Sequence, residues 1–238
     1  MNPTEKRIRN QYFIYDSTLP EAISAKDFDI SRYKADNRVI GQAQGRGSAY
    51  FVQLQGQECV LRHYHRGGMI AKLLKDRYWW TGLYRTRAWR EWFLLGQLRQ
   101  RELPVPPVVA ARVYKHGFFY QADIIMQRIP QSYSLAHVLI KEALSDTLWK
   151  KVGVTLRRFH QRGVYHADLN AHNILLDEQG AVYLIDFDRG EIRRIRRAWQ
   201  LANLQRFRRS LEKLSRQHQG FHFSESAWES MMAGYTQI

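Results

Sequence analysis

Cysteine is nearly absent. Cys59 is the one thiol in 238 residues, which excludes an internal disulfide, and no cysteine–histidine cluster offers a zinc site. Acidic residues are also scarce, 22 against 37 lysines and arginines, for a formal charge of +15. Such an imbalance calls for an anionic partner, whether nucleic acid, an anionic membrane surface or an acidic substrate. No uninterrupted apolar run approaches the length needed to cross a bilayer, and the basic N-terminal stretch has no apolar h-region, so neither a membrane span nor a secretory signal is expected. The length allows a sizeable core but not a catalytic domain plus a second large one. Cys59 is expected as a buried small hydrophobe.

The stretch from Tyr165 to Gly190 is the richest in chemistry. His166-Ala-Asp168-Leu-Asn170-Ala-His172-Asn173 runs into Ile174-Leu175-Leu176, a turn at Asp177–Gly180, and Ala181–Ile185. That pattern is a tight hairpin. One end carries Asp168 and Asn173, and the second strand returns Asp186 to the same end, so two acids and an amide converge where a metal nucleotide can be held. The competing reading makes them turn residues, where Asp and Asn commonly sit.

Upstream, Val39–Val52 places a glycine-rich turn with Gly41, Gly45 and Gly47 between two apolar runs. It reads as a phosphate cradle, because glycine lets backbone N–H groups approach an anion, or as a plain hairpin turn. A short strand, Glu58–Tyr64, carries Arg62. Arg66–Trp80 mixes basic and aromatic side chains, which suits either a membrane–water interface or packing on the sheet. Arg85–Arg101 has helical periodicity and contains Glu91; Leu103-Pro-Val-Pro-Pro ends it, and Val108–Tyr114 with Phe118–Met126 form a second hairpin. Helix Leu144–Arg162, ended by Gly163, precedes the central motif. After Gly190 come Arg193, Arg194, Arg196 and Arg197, then an amphipathic helix from Trp199 whose basic stripe includes Arg206, Arg209, Lys213 and Arg216. That stripe is either a solvated face or an anion platform. A closing helix is expected from the N-cap Ser224.

These motifs resemble the protein-kinase-like fold. His166–Asn173 stands where that fold has H-R-D-L-x-x-x-N, and Asp186-Phe187-Asp188 where it has D-F-G. Together with GRGxAYFV, VLRHYxRGGMIAKL, LPVPPVVAAR and LIDFDRG, they are similar to the lipopolysaccharide kinase family and its 3-deoxy-D-manno-octulosonic acid (Kdo) kinases. The resemblance implies an α+β bilobal fold with a small β-rich N-lobe at 38–126 and a mainly helical C-lobe at 127–238 ending in basic helices. Residues 1–37 are an extension packing on the domain, and Gln127–Pro130 is the hinge. It further implies ATP and Mg²⁺ as cofactors, with Asp168 as catalytic base and Asn173 and Asp186 as metal ligands. Gly41, Gly45, Gly47 and Arg62 then serve the nucleotide, Arg62 standing where the family has lysine and pairing with Glu91. No A-P-E motif or long activation segment follows, so a peptide groove is not expected. The implied activity is transfer to the 4-hydroxyl of Kdo on a lipid A precursor, at the cytoplasmic face of the bacterial inner membrane. Arg189, Arg193, Arg194, Arg196 and Arg197 become acceptor-binding candidates beside an anionic membrane surface, with no nucleic acid and no obligate protein partner expected.

Three rivals differ in class or acceptor. A heptose kinase of the lipopolysaccharide core would share the catalytic residues. A nucleic-acid-binding protein would use the charge, although no such motif is present. A pseudokinase scaffold would fit Arg62 and Tyr50, which stands where a third glycine is expected, but not an intact Asp168, Asn173 and Asp186.

Overall fold

The computed structural model describes residues 2–42, 49–65 and 76–237; Gly45, Gly47 and most of the Arg66–Trp80 stretch lie outside them. The chain divides into two compact units, 1–97 with 106–128, and 98–105 with 129–238.

The first unit is built on one antiparallel sheet. Its strands are β1 (Pro3–Ile8), β2 (Gln11–Asp16), β3 (Val39–Gln42), β4 (Ala49–Leu54), β5 (Gln57–His63), β6 (Tyr78–Trp79), β7 (Val108–His116) and β8 (Phe119–Gln127). They run in the order β1-β2-β7-β8-β5-β4-β3, with β6 on β8. Among the described residues, helices α1 (Ile30–Ala35) and α2 (Arg87–Gln100) also begin in this unit, with short 3₁₀ turns at Ala25–Phe28 and Leu83–Arg85. Residues 1–37 are thus more than an extension, since β2 is an inner strand whose Tyr12 pairs with Val113 of β7. The aromatic run explains this: Phe13, Ile14 and Tyr15 are buried, and Phe13 and Tyr15 share a core with Phe28, Tyr33, Val52, Leu61 and Ile125. Cys59 lies in that core, and burial pushes its thiol up to about 12, which makes it a hydrophobe rather than a nucleophile.

The second unit holds α3 (Leu135–Lys141), α4 (Asp146–Gln161), α5 (Arg197–Gln217) and α6 (Glu225–Thr236) around short strands β9 (Ser132–Ser134), β10 (Val164–Tyr165), β11 (Ile174–Asp177), β12 (Val182–Leu184) and β13 (Glu191–Ile192). The central hairpin forms as β11 and β12, with Ile174 opposite Leu184, and β9 adds a third strand. Serine starts three of these helices: the hydroxyls of Ser134, Ser145 and Ser224 accept from the backbone N–H three residues on. Gly163, with φ of 72°, turns the chain out of α4.

Two glycines set how closely α4 and α6 approach. A methyl group on Gly153 would lie 1.9 Å from the Met231 carbonyl oxygen, and one on Gly234 would lie 2.1 Å from that of Lys150. Helix propensity favours alanine over glycine by about 1 kcal/mol, but overpacking against backbone costs about 1–3 kcal/mol and cannot be relieved by rotating a side chain. Gly153→Ala is therefore expected to lower the urea midpoint. An unchanged or raised midpoint would show that the two helices separate freely.

Candidate active site

The site in the helical unit is assembled around His166. The imidazole is 3% accessible. Its Nε2–H donates to the Ile185 carbonyl at 2.9 Å, while Nδ1 accepts the Asp168 backbone N–H at 3.2 Å. Those two bonds require a neutral ring with the proton on Nε2. Burial supplies that state by lowering the pKa, against the opposing pull of the Ile185 carbonyl and the Asp186 and Asp168 carboxylates. One ring therefore ties the backbone of Asp168 to the residue that precedes Asp186.

The hairpin brings the amide to the same place. Ile185 N–H donates to the Asn173 carbonyl at 3.0 Å, just beyond the last strand pair. Asn173 Nδ2 donates to the Asp168 carbonyl at 2.9 Å, which turns its Oδ1 away from that bond. Asp186 has a φ of 61°, a left-handed conformation that Asp tolerates better than most residues. Phe187 is buried behind it, 4.7 Å from the His166 ring and stacked on Phe159 at 5.9 Å. The Asp186 carboxylate and the Asn173 amide oxygen are hard oxygen donors, the type that Mg²⁺ takes while sharing its shell with phosphate and water. The residues fit the ion. Asp168, by contrast, is exposed.

Helix α5 holds this loop through residues that sequence reading had not linked to it. Asn203 accepts the His166 N–H at 3.3 Å and donates to the His166 carbonyl at 2.9 Å. Ser210 Oγ accepts the Ala171 N–H at 3.1 Å. Arg206, expected within a basic stripe, has Nη1 3.7 Å from Asp168 Oδ1. The three fall on successive turns of one helix. The available signal was a buried-type Asn and a Ser at helical spacing beside an arginine.

In the sheet unit the expected Arg62–Glu91 pair is present, Nη2 to Oε2 at 2.5 Å. Glu91 is 2% accessible and also accepts the Tyr64 hydroxyl at 2.7 Å. Gly41 lies in β3. Among the acceptor candidates, Arg189, Arg194, Arg196 and Arg197 are exposed, whereas Arg193 is engaged by Glu191 and lies over the Tyr165 ring at 3.5 Å.

The model of the "Lipopolysaccharide kinase (Kdo/WaaP) family" matches residues 31–235. The chain belongs to that family. It is 44% identical over 181 residues to a 3-deoxy-D-manno-octulosonic acid kinase of Vibrio cholerae, covering 76% of this chain and 77% of that protein. A protein of the same name from Vibrio vulnificus is 39% identical, with 93% of each chain covered. Another, from Haemophilus influenzae, is 41% identical across 96% of this chain and 97% of its own length. The motif residues around His166 thus lie inside a match that extends over nearly the whole chain.

His160 and His166 in the helical unit respond to pH in the opposite sense to His63 in the sheet unit. In the helical unit, burial lowers His160 to about 4 and also lowers His166. Their stabilisation is present above the unfolded value of about 6.5 and is lost as pH falls toward the folded value; for His160 the loss is about 3 kcal/mol. In the sheet unit burial alone would lower His63, but its bonds to Asp123 and Asp76 outweigh this and raise it. Its contribution is complete below about 6.5 and fades as pH rises through the folded pKa. Urea titrations between about pH 7 and pH 5 should show the helical unit weakening with acid, less steeply in His160→Gln. A flat profile for that unit would contradict buried neutral histidines.

Proposed function

We propose that this chain is an ATP-dependent kinase acting on the 4-hydroxyl of Kdo in a Kdo-bearing lipid A precursor, in lipopolysaccharide inner-core synthesis. The observation that carries the reading is the exposed Asp168 tied through His166 to the residue before Asp186, with Asn173 alongside, in a member of the lipopolysaccharide kinase family.

Asp168 orients the sugar hydroxyl and takes its proton as the new O–P bond forms and the bond from the γ-phosphorus to the β–γ bridging oxygen breaks, with ADP as the leaving group. Its backbone is pinned by His166 and Asn173, so the carboxylate alone is free to follow the acceptor. Asn173 and Asp186 would hold Mg²⁺, which would supply neutralisation of the charge on the nucleotide phosphates. In the sheet unit Arg62, held by buried Glu91, would meet the α- and β-phosphates, and the glycine pattern at Gly41, Gly45 and Gly47 supports a phosphate cradle before it in the sequence. Arginine there keeps a fixed charge and a two-pronged donor geometry that a lysine lacks. Arg206 places a guanidinium beside Asp168, where negative charge from the transferring phosphoryl group accumulates.

The acceptor carries the Kdo carboxylate and the lipid A phosphates, so the arginines after Gly190 have anions to meet. Each Lys or Arg near an anionic lipid surface contributes about 1 kcal/mol. Arg189, Arg194, Arg196 and Arg197 serve the acceptor, with Arg193 supporting them through Tyr165. The enzyme works at the cytoplasmic face of the inner membrane as a peripheral protein.

Transfer of label from ATP to a Kdo-bearing lipid A precursor tests this directly, with a heptose-extended lipopolysaccharide as parallel acceptor. Product on the Kdo acceptor, absent with Asp168→Ala although nucleotide still binds, is the expected result. Product on the heptose acceptor alone would replace Kdo by heptose. Neutralising Arg194, Arg196 and Arg197 to Gln should raise KM for the acceptor and leave KM for ATP unchanged; equal loss of both would make the cluster nucleotide-facing.

A further inference from the structure

One stretch of the helical unit exposes apolar side chains along its length. Every residue from Ile192 to Ala198 is exposed, and α5 continues the pattern with Leu201 and Ala202 exposed while Gln200, Asn203, Leu204 and Phe207 are buried. Ile195 is 55% accessible and Leu201 42%. At helical spacing, Arg197, Ala198, Leu201, Ala202 and Gln205 form one outward face opposite the face that holds the catalytic loop.

Scattered exposed apolar residues need no explanation. Here, however, Ile192, Ile195 and Leu201 fall within ten residues and are interleaved with arginines. From Ile192 to Leu211 there are seven arginines and no Asp or Glu. Of these, Arg193 and Arg208 are engaged by glutamates, and Arg206 by Asp168. Arg194, Arg196 and Arg197 are exposed around the aliphatic tips. Aliphatic tips set among arginines match the boundary between acyl chains and anionic headgroups, where the stems lie along apolar matter and the guanidinium heads reach phosphate. A purely aqueous anion would use the charges but not the isoleucines and leucine.

We propose that the Ile192–Ala202 surface docks on an anionic lipid bilayer, with Ile192, Ile195 and Leu201 inserted among the headgroups and Arg194, Arg196 and Arg197 around them. The proposal deepens the lipid-acceptor reading above and rests on it. Leu201 precedes Arg206 by five residues, about 8 Å along α5. Helix α5 therefore carries Arg197 and Leu201 of the docking face together with the side chain beside Asp168, and Ile192 and Ile195 lie in the stretch that leads directly into it.

The test uses the full chain and vesicles of phosphatidylcholine with or without phosphatidylglycerol, with no Kdo acceptor present. Leu201→Cys labels selectively with an environment-sensitive fluorophore because Cys59 is buried. The label should shift to the blue on the phosphatidylglycerol vesicles only, and the same label at Glu178→Cys should not. The double variant I195S/L201S should lose about tenfold or more in vesicle affinity, with transfer to a deacylated, water-soluble Kdo acceptor retained. No shift at position 201, wild-type vesicle binding by the double variant, or tighter binding to an oligonucleotide than to vesicles would overturn the docking surface. Vesicle binding as proposed, without turnover on any Kdo acceptor, would uphold the docking surface and defeat the enzymatic reading instead.

Discussion

The site depends on a single uncharged imidazole. His166 donates from one nitrogen and accepts at the other, so the Asp168 backbone and the chain entering Asp186 share one rigid spacer. A protonated ring would turn the accepting nitrogen into a donor facing an N–H. A buried donor left without an acceptor costs about 1–3 kcal/mol, which exceeds what one ordinary bond contributes. Burial against Phe187 prevents this by disfavouring the charged form. The geometry of the acid pair is therefore set by desolvation as much as by hydrogen bonding.

Helix α5 extends that control outward. Asn203 satisfies both backbone groups of His166, and Ser210 fixes Ala171, so the helix reads the loop at two points one to two turns apart. Arg206 lies between them. Its contact with Asp168 is long and exposed on both sides, with 47% and 64% of the side chains accessible. Such a pair adds little to stability, in keeping with the role at the acceptor proposed for Arg206. On the opposite face the same helix exposes Arg197, Ala198, Leu201 and Ala202.

Much of this was legible in the sequence because it is local. The motif from His166 to Asp186, the hairpin and the closing helix capped by Ser224 rest on spacing within a few residues, and the resemblance supplied the Arg62–Glu91 pair across a longer gap. Contacts made over long separations were not legible. β2 finds β7 about a hundred residues away, and nothing in an aromatic run says which strand it will join. Arg206 shares its helical spacing with arginines that face water, and only the folded loop distinguishes it. Gly153 and Gly234 look like weak points in helices until the backbone of the other helix is seen at each. Gly45 and Gly47 fall outside the described residues.

The most direct measurement of the central interaction is long-range proton–nitrogen NMR of the His166 ring as a function of pH. The account predicts a neutral ring protonated at Nε2 that stays so as pH falls through the ordinary imidazole value of about 6.5. A ring that gains a proton near that value, or that carries its single proton on Nδ1, would contradict it.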